Sequence, residues 1–339
     1  MKMIELRSDT FTKPTKEMLE AMFAAEVGDD VFEEDETVKA LEQKAALLFG
    51  YEAGLFCTSG TMTNQIAINV HVKQGDEVIC DKLSHVYMYE GGGIAANSHA
   101  SVNLLTGDRG RLTATMVEEN IQPDNVHHCV SRLVSLENTV NKGGGAIYDL
   151  NEIRKIKEVC KKHNMALHLD GARIFNALVE TGETPREYGC LFDSMSVCLS
   201  KGLGTPVGSL LLGTEDFIYQ ARRVRKRFGG GWRQAGYLAA AGIYALDHNI
   251  LRLKEDHARA KEIAKIMLAH PEVTEILPVD TNIVIFSLKE NLTSDDYTKQ
   301  LLTKGIKAAP FGKHQVRMVT HLDFNDHHLE EFRKRMSGV

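Results

Sequence analysis

The sequence predicts an α/β fold: a mostly parallel sheet in a large domain over residues 1–247, then a small α+β domain over residues 248–339. Three observations predict it. The chain has 339 residues, more than one ordinary hydrophobic core uses. From Gly54 to Gly213, short continuous apolar runs alternate with stretches of helical periodicity, as in strands covered on both faces. After about Asp247 that alternation gives way to a different order of helices and strands.

In chain order, helices are expected at Thr15–Ala25 and Glu36–Phe49, with Gly50 stopping the second. Strands follow at Gly54–Cys57, Glu77–Asp81, Ser101–Leu105, Arg132–Leu136, Ala166–Asp170, Ser194–Leu199 and Val207–Gly213. Helices between them include Thr61–Val72 and Leu150–Asn164. The last part reads as helix Leu251–Leu268, strands near Val273–Ile276 and Asn282–Ser287, helix Ser294–Thr303, a strand around His314–Thr320 and helix Asp326–Met336. The N-terminal segment can pack with either part.

Composition excludes several classes of function. The chain is 43% hydrophobic and 25% charged, ordinary for a globular protein. A net charge of -6, with the charges interspersed, argues against nucleic acid as a partner. The basic run Arg222, Arg223, Arg225, Lys226 and Arg227 fits either a solvated helix face or a site. No apolar run approaches membrane-spanning length, and the N-terminus lacks an apolar signal core. None of the six cysteines forms a CxxC pair, so no zinc site of the usual spacing is expected. These features predict a cytoplasmic protein with free thiols and no metal.

The chemistry concentrates at strand ends. Leu167-His168-Leu169-Asp170-Gly171-Ala172-Arg173 is an apolar strand ending in a carboxylate, with an arginine three residues on. Ser196-Val197-Cys198-Leu199-Ser200-Lys201-Gly202-Leu203-Gly204 is a second such strand, ending in a lysine with glycines beside it. Singly, Lys201 reads as a lysine leaving a strand for solvent and Asp170 as a turn residue. Together they suit pyridoxal 5'-phosphate, which needs a lysine for its Schiff base and a carboxylate to keep its ring nitrogen protonated. Thr58-Ser59-Gly60-Thr61-Met62-Thr63-Asn64, at a strand-to-helix junction, offers N–H groups and hydroxyls to a phosphate, or is a plain N-cap. His85, after the strand ending at Asp81, can stack on a flat ring or relay protons.

With these pieces in place, the chain resembles the low-specificity threonine aldolases, which are fold-type I pyridoxal-phosphate enzymes. The likeness runs through Arg7-Ser8-Asp9-Thr10, Val27-Gly28-Asp29-Asp30-Val31, Ser59-Gly60-Thr61-Met62, Leu136-Glu137-Asn138-Thr139, Asp170-Gly171-Ala172-Arg173, Ser200-Lys201-Gly202-Leu203-Gly204, Gly229-Gly230-Gly231-Trp232-Arg233-Gln234 and Arg317-Met318-Val319-Thr320-His321. The resemblance implies that Lys201 forms the Schiff base, that Asp170 partners the ring nitrogen, that His85 stacks on the ring and that Gly60 and Thr61 bind phosphate. It further implies that Ser8, Arg173 and Arg317 hold the substrate carboxylate. Arg233 would reach a phosphate in a neighbouring subunit of a homotetramer built as a dimer of dimers, and His127 falls near a histidine that touches the substrate side chain. The chain departs from the family pattern with Phe32-Glu33 after Asp-Asp-Val and with Val140 after Glu-Asn-Thr.

The implied reaction is retro-aldol cleavage of a small-molecule substrate, L-threonine or L-allo-threonine, to glycine and an aldehyde, with His85 or His127 as base. The alternatives are a β-eliminating lyase using the same lysine and aspartate, or an inactive oligomeric binding protein. A nicotinamide dehydrogenase fits poorly, because Gly91-Gly92-Gly93 makes no GxGxxG turn. His168 reads as a packed core histidine.

Overall fold

The computed structural model describes residues 3–337. Seven strands form the main sheet: β1 (Ala53–Cys57), β2 (Glu77–Asp81), β3 (Ser101–Leu105), β4 (Ser131–Glu137), β5 (Ala166–Gly171), β6 (Ser194–Cys198) and β7 (Ser209–Gly213). Their order is β1-β7-β6-β5-β4-β2-β3. Only β7 runs against its neighbours, so the other six point the same way and share one carboxyl edge. The expected strands are all present, with ends moved by one or two residues.

Burial follows position in the sheet. Every residue of β2, β6 and β7 is buried, whereas β3, an edge strand, is largely open. The Gly60–His71 helix begins with Ser59 capping the Met62 N–H and lies across β5, β6 and β7. Glu36–Phe49 ends at Gly50 in the left-handed conformation, as the sequence suggested.

The C-terminal part holds a four-stranded antiparallel sheet in which Ile283–Leu288 pairs with both Gln315–Val319 and Val273–Ile276. It builds its own apolar cluster around Phe286, Met318 and Phe332. Ile4 and Leu6 join that cluster, and Ile4–Glu5 pairs in parallel with Ile306–Lys307. The N-terminal segment is thereby carried to the C-terminal sheet, and Ser8 and Asp9 follow directly.

The basic run is not a solvated face throughout. Arg225 is buried, donating to Asp30 at 2.7 Å and to the Phe56 carbonyl at 2.7 Å. Arg222 pairs with Glu42 at 2.7 Å. The helix turns these arginines inward because acidic partners wait there, which local sequence does not reveal.

Leu169 in β5 is fully buried between the two residues that matter most on that strand, His168 and Asp170. Leu169→Ala should cost about 2–5 kcal/mol, read from the denaturation midpoint.

Candidate active site

Three of the strands that share the carboxyl edge end in charge or lead to it. Asp170 is the next-to-last residue of β5, Glu137 ends β4 opposite it in register, and Lys201 lies three residues beyond β6. His85 follows β2, and Gly60 and Thr61 follow β1. Parallel strands bring these residues together although more than a hundred positions separate them.

Above this edge lies a cavity of about 330 Å³ whose wall includes Ser8, His85, Tyr89, Arg173, Lys201 and Arg317, closed on one side by Phe311 and Pro310. A larger cleft, of about 530 Å³, opens near Asp30, Tyr219 and Arg222, but it touches neither Lys201 nor His85. The concentration of titratable groups, not volume, singles out the smaller cavity.

The wall of this cavity carries cations. Arg173 is buried and gives Nε and Nη2 to the two carboxylate oxygens of Asp9, each at 2.7 Å. Burial alone would raise the Asp9 pKa; the Arg173 guanidinium outweighs it and holds the carboxyl far below the usual range. Arg317 donates Nη1 to Asn141 Oδ1 at 2.7 Å and Nη2 to the Arg7 carbonyl at 3.0 Å, while its buried Nε has no partner. Burial and the nearby Arg173 push its pKa down to about 10. A buried guanidinium with an unfilled donor suits an incoming carboxylate.

His85, in the same wall, is bonded to an acidic group. Asp170 Oδ2 accepts from Asn64 Nδ2 at 2.9 Å, and Oδ1 accepts from the Ala172 N–H at 3.1 Å. The same Asn64 amide donates to Glu90 Oε1 at 2.9 Å, and His85 Nδ1 meets that oxygen at 2.9 Å. Burial opposes charge on His85, but the Glu90 hydrogen bond and the carboxylates of Asp170, Glu90 and Glu137 outweigh it and raise its pKa. Glu137 accepts from the His85 N–H at 2.7 Å and the Asn141 N–H at 2.8 Å. Burial and the adjacent Asp170 push Glu137 up to about 7.

Ligand atoms of His85, Glu90 and Asp170 lie within 4.8 Å of one another, as metal ligands do. The Asn64 amide already bridges the two carboxylates, which leaves a cationic N–H a better partner than a bare ion. At the start of the Gly60–His71 helix, the Gly60 and Thr61 N–H groups have no carbonyl within the helix to meet. The Ser209 hydroxyl, buried and unpartnered, lies 3.7 Å from where a Cβ on Gly60 would stand. An amine, a carboxylate, an anion cradle and a guanidinium in the cavity wall together match the donor set that pyridoxal 5'-phosphate and an amino acid require.

The cavity thus includes Ser8, His85, Arg173, Lys201 and Arg317 in its wall. Asp170, Gly60 and Thr61 are not in that wall but lie on the strand and helix described above, and two more residues singled out by sequence have their partners elsewhere. His127 is exposed, its N–H donated to Asn125 Oδ1 at 3.0 Å. Arg233 is an exposed side chain paired with Asp29 at 2.8 Å. Phe32 is 71% exposed, so that departure lies outside the cavity of this chain, whereas Val140 is buried in the core next to Asn141. Sequence reading assigned no role to Asp9, Asn64, Glu90 or Asn141. Asp9 and Glu137 did fall inside quoted motifs, and Glu90 stands five residues after His85.

The family model described as beta-eliminating lyase matches residues 5–291. The low specificity L-threonine aldolase of Escherichia coli (strain K12) is 43% identical over 331 residues, covering 97% of each chain. The low-specificity L-threonine aldolase of Candida albicans is 44% identical over 293 residues, covering 85% of this chain and 77% of that one. Among solved structures, Leishmania major threonine aldolase superposes with a TM-score of 0.84 at 20% identity, covering 99% of both chains.

Because the Glu137 pKa in the folded protein exceeds its ordinary 4.5, its contribution to stability is full below about pH 4.5 and is lost as pH rises through about 7. In the cofactor-free protein, infrared difference spectra should show one protonated carboxyl disappearing between roughly pH 6 and 8. Glu137→Gln should lack that band.

Proposed function

This chain belongs to the low-specificity L-threonine aldolase family, and from that premise we propose that it binds pyridoxal 5'-phosphate and cleaves threonine-like β-hydroxy-α-amino acids to glycine and an aldehyde. The observation that carries the reading is a cavity lined by Lys201, His85, Arg173 and Arg317 at the strand edge where β5 carries Asp170. Bound there, the cofactor supplies an electron sink for the bonds at the substrate's Cα.

The chain's own residues do the rest. Lys201 supplies the primary amine that attaches the cofactor. Asp170, fixed by Asn64 and the Ala172 N–H, would hold the cofactor's ring nitrogen in its protonated form. Gly60 and Thr61 donate N–H groups to the phosphate. Arg233, exposed and paired with Asp29, would serve the phosphate of a neighbouring copy in a homotetramer. Arg317, with Ser8 in the same wall, takes the substrate carboxylate. Arg173, whose Nε and Nη2 are committed to Asp9, contributes its charge and holds the cavity wall. Holding the carboxylate would fix the orientation of the substrate's Cα bonds and so select the bond that is cleaved. With Nδ1 held by Glu90, His85 keeps Nε2 for the β-hydroxyl proton. His127 stays a second candidate base. Residues 1–247 form the cofactor-binding part, and residues 248–339 bring Arg317 over it.

Given L-threonine or L-allo-threonine, cofactor-loaded protein should release acetaldehyde and glycine in equal amounts. A keto acid with ammonia would instead identify a β-eliminating lyase. Lys201→Ala should lose both turnover and the cofactor's bound absorption, and retention of either would refute its role. Arg317→Ala should raise KM roughly 10- to 100-fold while cofactor affinity stays within about twofold.

A further inference from the structure

We propose that His71, Ser194, His168 and Asn64 form a buried chain of hydrogen bonds, all donated in one direction, that orients the Asp170 carboxylate toward the cofactor's ring nitrogen. The proposal rests on the assignment of Asp170 given above. These are positioning residues; none of them touches the reacting atoms.

The chain is assembled by two periodicities. Asn64 and His71 stand two helical turns apart on one face of the Gly60–His71 helix, and His168 and Asp170 stand two apart on one face of β5. Ser194 opens β6 directly opposite His168 in register. The contacts run His71 Nε2 to Ser194 Oγ at 2.8 Å, Ser194 Oγ to His168 Nδ1 at 2.8 Å, His168 Nε2 to Asn64 Oδ1 at 3.1 Å and Asn64 Nδ2 to Asp170 Oδ2 at 2.9 Å. Asn64, His168 and Ser194 are buried.

Donor directions follow link by link. The Asn64 atom that faces two carboxylates must be the nitrogen, because carboxylates accept and do not donate. The other amide atom is then the oxygen, so His168 Nε2 must carry a proton. Burial, reinforced by neighbouring His71, pushes the His168 pKa down to about 3, so the ring holds only that one proton and Nδ1 is bare. Ser194 must donate its single proton to Nδ1. It can then only accept from His71, which therefore carries its proton on Nε2. Burial pushes His71 down to about 4, so this ring is neutral as well.

Every donor thus points toward Asp170, and aligned hydrogen bonds polarise one another. The Asn64 amide donates its N–H groups but neither gives up nor takes up a proton, so the chain cannot conduct protons. What it can do is hold one carboxylate oxygen in place. The Ala172 N–H holds the other, and the remaining lone pairs are left for a cationic N–H.

Two measurements test this. In the cofactor-free protein labelled with [15N]histidine, both His168 and His71 should appear as neutral Nε2–H tautomers. An Nδ1–H tautomer at His168 would overturn the chain of donors. Holoenzyme loaded with pyridoxal 5'-phosphate carrying 15N at the ring nitrogen gives the second. His168→Phe should move that signal toward the unprotonated position and weaken cofactor binding about tenfold, the scale on which an outer partner alters affinity for a bound group. His168→Gln, which keeps a donor toward Asn64, should restore much of both. A signal that responds to Asp170→Asn but not to His168→Phe would refute the relay and leave the Asp170 assignment standing. A signal indifferent to Asp170→Asn would remove the assignment itself.

Discussion

A single buried carboxylate, Asp9, holds the cavity together. It accepts two hydrogen bonds from Arg173 and a third from Asn282, and it sits in the field of Lys201 and Arg317. Three cations converge on one small volume, and Asp9 is the counter-charge placed among them. Arg173 follows β5, Asn282 precedes the strand Ile283–Leu288, and Asp9 comes from the N-terminal segment. The pair therefore joins three distant parts of the chain at the point where the substrate would enter. A buried ion pair of this kind is weak evidence for stability, but losing one partner would strand charge in a poorly solvated place.

Both signs of charge meet at the cavity. Arg173, Arg317 and Lys201 line it, and His85, also in its wall, is bonded to the carboxylates of Glu90 and Glu137. A zwitterionic amino acid and a cationic ring suit such a field without any rearrangement. The arrangement arises from the sheet, because parallel strands deliver Glu137 and Asp170 side by side, while the C-terminal sheet delivers Arg317.

Much of this was legible beforehand because its signals were local. Continuous apolar runs marked the buried strands, and the charges just past them, Asp170 and Lys201, marked the edge that matters. The antiparallel direction of β7 carried no such signal; Ser209–Gly213 reads as any buried strand does. His168 illustrates a deeper limit. By itself it was a packed core histidine, and it is packed; its partners lie at positions 64 and 194, reached only through helix and sheet geometry. Arg225 stayed undecided between a solvated face and a site for the same reason, since Asp30, its partner, is far off in sequence. Arg233 and His127, named through family resemblance, lie outside the cavity of a single chain.

The pairing of Ile4–Glu5 with Ile306–Lys307 has a consequence for biosynthesis. At about 5–20 residues per second, a ribosome takes roughly 15–60 s to travel from the first of these segments to the second. Throughout that interval Ser8 and Asp9 have emerged but lack the sheet that anchors them, and Arg317 does not yet exist. The seven-stranded sheet, whose strands end at Gly213, can form in the meantime. The nascent protein therefore carries Lys201 and Asp170 before it can close a substrate cavity over them, and its competence arrives late, all at once, with the last strands.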